Sequence, residues 1–393
     1  MKFSAAATIF AVISTTTTAL AARLPLPIKT SSGPVKPNSY IVVLKPGTNM
    51  EAHIKELTEL ATRSPGSELS ITHQYDERVL HAYSVQAIGP PLNHILISPD
   101  VDYVEPDGIA SIKYDVHEEN EVEREDAPSE LTNGLAEFGG RAAGGAGVVV
   151  YGIDTGIYTA HSCFGGRASW GATFGGYASR DGNGHGTHTA GTAVGTTYGV
   201  ATSARIVAIK VLSDQGSGSY SDIISGVNFA YNQFRTTRAP SIATMSLGGP
   251  LSTALNSAVN NAIAGGLHFT IAAGNSAVDA RNTSPASVMD ANTIGAVDGS
   301  TNRIASFSNY GSIIDVFAPG VNILSAWIGS TTATARLSGT SMATPYVAGV
   351  LALALSEYGQ VSPAGLSNAL KTHARPVVTG QPAGTTNLRA YFW

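Results

Sequence analysis

The chain has 393 residues, 43% of them hydrophobic and 13% charged, with a formal net charge of −5. That is ample for one large globular domain and a smaller one, and the mild negative balance excludes the basic footprint of a nucleic-acid binder. The single cysteine, Cys163, excludes an intramolecular disulfide. With nothing around it that pairs it with a base, Cys163 reads as a small buried hydrophobe and not as a nucleophile.

Residues 1–21 predict a secretory signal. Lys2 is followed by the apolar Ile9, Phe10, Ala11, Val12 and Ile13, and then by Ala19-Leu20-Ala21 as a small-residue cleavage site. The apolar run is too short for an anchor and no later stretch reaches spanning length. The expected product is secreted, extracellular and free of the membrane. After a Pro-rich linker at 24–37, residues 40–44 read as a strand ended by Pro46-Gly47. Ile54, Leu57, Leu60 and Ala61 recur at helical spacing, Tyr83, Val85 and Ala87 alternate as a strand does, Leu92, Ile95 and Leu96 suggest a second helix, and 101–104 a final strand. There is room for one more strand near 71–75. The order β-α-β-α-β predicts a small ferredoxin-like α+β domain.

From 115 to 130 the chain is acidic, with Glu118, Glu119, Glu121, Glu123, Glu125 and Asp126, and reads as a solvated linker. Beyond it, apolar strands alternate with helices. Residues 148–153 form a continuous apolar run, as in a strand buried on both faces. Further strands are expected at 206–212, 242–245 and 268–273, with helices around Ile223 to Ala230 and Leu255 to Ile263. The alternation predicts an α/β fold with a mainly parallel sheet. Asp154 and Asn275 each follow an apolar strand, which puts both at the carboxyl edge where such sheets bind ligands.

Ser341, in Gly339-Thr340-Ser341-Met342-Ala343-Thr344-Pro345, precedes a helical apolar pattern. Gly339 allows a sharp turn there, Pro345 suits a first helical turn, and a hydroxyl at the positive end of the dipole suits a nucleophile. A plain N-cap serine fits equally at this point. His185 and His188 lie in Gly184-His185-Gly186-Thr187-His188. A zinc pair is disfavoured because the Glu of His-Glu-x-x-His is lacking. Asp154, in Gly152-Ile153-Asp154-Thr155-Gly156, could merely cap a turn. Asn275, in Ala272-Ala273-Gly274-Asn275, could be an ordinary turn asparagine.

Taken together, these four motifs resemble those of the subtilisin-like serine proteases (subtilases, peptidase family S8), most of all the proteinase K branch of fungal secreted enzymes. The order Asp154, His185, Ser341 is that of the family. The resemblance implies a three-layer subtilisin-like α/β fold and a serine endopeptidase. Asp154 would orient His185, His185 would take the proton from Ser341, Asn275 would complete the oxyanion hole, and His188 would be structural. Gly216, Gly218 and Tyr220, with Ser246, Leu247 and Gly248, resemble the two edges that pair with an extended peptide. Ala272 and Gly274 would line the first pocket, and the absence of an acidic residue in these segments predicts an apolar or aromatic P1 preference. No catalytic cofactor is expected. Asp315 corresponds to a structural calcium ligand of the family, with Met289 and Ala291 as carbonyl ligands; a structural ion-paired Asp is the alternative. Asn282-Thr283-Ser284 is a glycosylation sequon.

The small N-terminal domain resembles the inhibitor I9 propeptide. The implied organisation is a signal at 1–21, a propeptide at 22–114 with its I9-like domain at about 38–113, an acidic linker at 115–130 and a peptidase domain at 131–393. The expected partners are protein and peptide substrates and the chain's own propeptide, acting on a monomer. Self-cleavage is expected at or near Tyr114, which would fill the first pocket, with a site further along, up to about Ala127, as runner-up. The family's usual Trp-Gly-Leu is replaced here by Thr132-Asn133-Gly134-Leu135. A competing reading is therefore a secreted subtilase-fold binding protein with impaired catalysis. An esterase is disfavoured because Ser341 lacks the second glycine of Gly-x-Ser-x-Gly.

Overall fold

The computed structural model describes residues 24–117 and 144–393. The signal, most of the acidic linker and the atypical segment before residue 144 lie outside the described residues.

The N-terminal unit is a four-stranded antiparallel sheet in the order Glu68–Gln74, Ala82–Ile88, Val35–Leu44, Val101–Ser111. Side chains alternate across a strand, and the central strand uses both faces. Val42 and Leu44 turn to the helices Met50–Arg63 and Pro90–Ile97, where Leu57, Tyr83, Val85, Ile95 and Val104 close a small core. Ile41 and Val43 turn the other way, into the core of the large unit, together with Tyr75, Val79, Leu80 and Ala110. The order is β-α-β-β-α-β: the expected elements are present together with the extra strand for which there was room, at Glu68–Gln74. The final strand is longer than the 101–104 read from its apolar residues, because it runs on to pair with a strand of the large unit.

The large unit is built on a nine-stranded sheet. Its order is Arg375–Pro376, Leu388–Arg389, Val316–Pro319, Asn292–Val297, His268–Ala272, Ser241–Met245, Val149–Asp154, Arg205–Lys210, Ala168–Thr173. Every pairing is parallel except the first. The central strands are buried on both faces. On one side Tyr151, Ile153 and Ile209 meet the helices Tyr220–Thr237 and Thr253–Ala264 through Ile223, Val227 and Val259. On the other, Val150, Ile206 and Ile294 meet His185–Val194 and Thr340–Tyr358 through Ala193, Val347 and Leu351. The result is a three-layer α/β unit. Cys163 is buried and unpaired, and burial pushes its thiol up to about 12.

Candidate active site

Three elements deliver the site. Asp154 ends a central strand, His185 opens the helix His185–Val194, and Ser341 stands in the first turn of Thr340–Tyr358. His185 Nδ1 donates to both oxygens of Asp154, at 2.8 and 3.0 Å, and the imidazole is wholly buried. The Thr155 amide also donates to Asp154, at 2.6 Å. His185 Nε2 is left without a hydrogen-bond partner, while the Ser341 hydroxyl donates to the Ser246 carbonyl at 3.3 Å.

The start of the serine helix differs from the sequence reading in two respects. Gly339 has φ 165°, which is extended backbone and needs no glycine. What favours glycine is proximity: a Cβ would stand 3.0 Å from Asn275 Nδ2, tighter than an ordinary contact, and Asn275 would have to give by a few tenths of an ångström. Pro345 stands inside the helix and not in its first turn, so it cannot supply the N–H that the Ser341 carbonyl would normally accept. The Ser246 hydroxyl donates to that carbonyl instead, at 3.0 Å.

Asn275 is held by its amide oxygen, which accepts from the Thr340 amide and hydroxyl, each at 2.8 Å. Its Nδ2 is thereby turned outward and donates to the carbonyl of Lys113. Four further residues build the site and were missed by the sequence reading as functional. Asp181 caps the histidine helix: its carboxylate accepts from the amides of Asn183, Gly184 and Thr187 and from the Thr155 and Thr187 hydroxyls. Asn309 holds the loop of Asn275, accepting from the amides of Ser276 and Val278 and donating to Ala273. Thr340 and Asn183 complete the group. His188 donates from Nε2 to the carbonyls of Ile323 and Ala335, and burial, aided by His185, pushes it down to about 3. It is a neutral packing histidine.

The tail of the N-terminal unit lies through the cleft. Ile109, Ala110 and Ser111 pair antiparallel with Ser217–Ser219, Ser111 exchanges hydrogen bonds with Gly248, and the Ile112 amide donates to Gly216. Gly216, Gly218 and Gly248 thus form the two edges. Tyr220 and Leu247 are buried behind them, with the Tyr220 ring against Gly108 and its hydroxyl on the Pro250 carbonyl. Ala272 is buried at its strand end, and Gly274, at φ 102°, donates to the Thr340 hydroxyl. This register corrects the expected place of Tyr114. Pairing of Ser111 and Ile112 brings the carbonyl of Lys113, not of Tyr114, to Asn275. Tyr114 falls beyond the Lys113–Tyr114 bond, its ring 5.1 Å from that of His185 and its hydroxyl donating to Asn183 at 3.3 Å. The next residues, Asp115–His117, add a strand to Thr334–Ser338, where the sequence suggested only linker. The groove around the tail is lined by Asn183, Gln215, Asn275, Phe307 and Ser338, without an acidic side chain.

At Asp315, the expected calcium ligand, both carboxylate oxygens are already engaged by groups of the chain itself. Asp315 accepts from Lys371 Nζ on one oxygen, at 3.1 Å, and from the Thr293 amide on the other, at 2.8 Å. Calcium takes six to eight oxygens, drawn from carboxylates, backbone carbonyls and waters. Among the described residues no cluster of three His, Cys, Asp or Glu could hold a metal. Met289 is 83% exposed and Ala291 buried. Asn282 is exposed at the end of a short 3₁₀ turn.

Comparison with known proteins agrees with this geometry. The Subtilase family model matches residues 145–391 and the Peptidase inhibitor I9 model matches residues 39–113. Subtilisin-like protease 2 of Pseudogymnoascus destructans is 41% identical, over 90% of this chain and 89% of its own. Proteinase R of Parengyodontium album is 39% identical, over 93% and 92%. Among solved structures, a cold adapted subtilisin-like serine proteinase is 46% identical with a TM-score of 0.60, over 63% of this chain and 90% of that one. Fervidolysin from Fervidobacterium pennivorans shares the fold at 21% identity, with a TM-score of 0.73 over 94% and 62%. Catalysis in this family needs no cofactor. With both domain models matched in sequence and an inhibitor-type unit seated on a peptidase-type sheet, the chain belongs to the subtilase family of serine endopeptidases.

Proposed function

We propose that the chain is made as a secreted zymogen that cuts its own Lys113–Tyr114 bond and then acts as an endopeptidase on other proteins. One observation carries this reading: Asn275 Nδ2 donates to the Lys113 carbonyl, the interaction an oxyanion donor makes with the bond to be broken. The Ser341 oxygen adds to the Lys113 carbonyl carbon while its proton passes to His185 Nε2. Asp154 holds the imidazole in one tautomer and stabilises its charge. The negative oxygen rests on Asn275 Nδ2 and the Ser341 amide. The intermediate collapses, the bond to Tyr114 breaks, and the Tyr114 amine takes the proton from His185. Water follows the same route and releases Lys113 as a carboxylate.

The freed N-terminal unit stays seated as an inhibitor, because its tail keeps the pairings with Ser217–Ser219 and Gly248. Substrates in trans use the same edges, and the lack of an acidic lining residue supports an apolar or aromatic P1 preference for them; Lys113 reaches that position through the fixed pairing of its own tail with Ser217–Ser219 and Gly248 and not through a pocket matched to its charge. Secretion is supported by residues 1–21 and by relatives among fungal subtilisin-like proteases. The sequon asparagine Asn282 is exposed and open to a glycan. A serine-directed phosphonate tests the reading: the processed protein gains one adduct, on Ser341, and Ser341→Ala gains none. A folded, processed protein that stays unlabelled would instead support an inactive scaffold.

A further inference from the structure

Asp315 sits at the point where the strand Val316–Pro319 joins the sheet. Its backbone amide donates to the Thr293 carbonyl and its Oδ2 accepts the Thr293 amide, so one residue closes a ring with Thr293 at the edge of the pairing with Asn292–Val297. The carboxylate is 13% exposed. A carboxylate so placed needs a positive partner to remain charged. The helix Pro363–His373 provides one from its last turn. Leu366 and Leu370 of that helix are buried in the core, which fixes the helix against the sheet and carries the Lys371 ammonium to 3.1 Å from Oδ1. The Lys371 side chain is 38% exposed, so its stem lies partly along the protein while its head meets the acid.

We infer that the Lys371 ammonium is the resident cation of the Asp315 site, and that this corner of the sheet is held without calcium. An ammonium 3.1 Å from Oδ1 and an amide 2.8 Å from Oδ2 occupy both oxygens a divalent ion would need. A second positive charge at that distance would be repelled. The pair joins parts of the chain 56 residues apart and ties the last helix to the sheet by a covalently attached charge, one that chelators cannot remove.

The test uses the full chain carrying Ser341→Ala to prevent autolysis, with thermal unfolding followed in about 10 mM CaCl2 and in excess EDTA. Asp315→Asn is expected to lower Tm by the same amount in both media, leaving the difference between media unchanged. Lys371→Met, which empties the position beside the carboxylate, is expected to gain a calcium-dependent rise in Tm of about 2–6 °C. Adding Asp315→Asn to Lys371→Met should abolish that gain. Loss of the parent's calcium response in Asp315→Asn would overturn the inference, and so would a Lys371→Met variant with no gain. If Asp315→Asn does not fold, the comparison of parent with Lys371→Met decides alone.

Discussion

Asn275 owes its orientation to Thr340, the residue before Ser341. With its amide oxygen fixed by the Thr340 amide and hydroxyl, the amide cannot flip without losing two hydrogen bonds, and Nδ2 stays aimed at the carbonyl of Lys113. In the proposed mechanism the donor is thus in place before charge develops, which is what makes such a group effective. Asn275→Leu is expected to lower kcat by about 10²–10³, the usual cost of one oxyanion donor, with little change in KM. Steady-state kinetics on a peptide anilide check this, and an unchanged kcat would remove Asn275 from the oxyanion hole. The side chains brought together here were legible as short motifs around Asp154, His185, Asn275 and Ser341. The residues that position them were not singled out. Asp181, Asn309 and Thr340 act through backbone amides and neighbouring hydroxyls, and nothing in residue type distinguishes a carboxylate that caps a catalytic helix from one that caps any other.

At the level of elements, the N-terminal strand Val101–Ser111 does two jobs. Its apolar residues close the small core, and its acids reach the peptidase helices. Glu105 accepts from the amides of Thr253 and Ala254, each at 2.7 Å, and so caps Thr253–Ala264. Asp107, fully buried, accepts from the Ser221 amide at 2.9 Å and hydroxyl at 2.7 Å, at the head of Tyr220–Thr237, and from the Ser39 hydroxyl at 2.9 Å. A carboxylate at a helix N-terminus satisfies free N–H groups and the dipole together. His73 adds a hydrogen bond to Asp222 at 2.9 Å. Asp107→Asn replaces a charged acceptor with a neutral one, a loss of about 1.5–3 kcal/mol for charged hydrogen bonds. The lag between self-cleavage and full activity should therefore shorten by roughly tenfold or more. A progress curve after synchronised processing measures it, and an unchanged lag would place the inhibitory contact elsewhere. Helical and strand periods made most of these elements legible. The extension of the strand beyond Val104 and the short strand at Asp115–His117 were not, because each pairs with a segment remote in the chain and neither has an apolar pattern of its own.

For the molecule as a whole, the sequence order of a small α+β unit followed by an alternating α/β unit was enough to predict both architectures. Hydrophobic runs such as Val149–Asp154 announce strands covered on both faces. What could not be read was the register in which the first unit lies across the second. Tyr114 looked suited to an apolar pocket, but main-chain pairing at Ser111 and Ile112 decides the register. A shift of one residue would reverse the faces of the whole tail. The central claim, that Ser341 cuts the bond whose carbonyl lies on Asn275, is tested most directly by the masses of the new chain ends. Intact-mass analysis of the secreted chain at early times should find a fragment ending at Lys113 and its complement beginning at Tyr114, while Ser341→Ala gives one unprocessed precursor. A first fragment ending at Tyr114 or further along, or the same cut in Ser341→Ala made without other proteases, would contradict it.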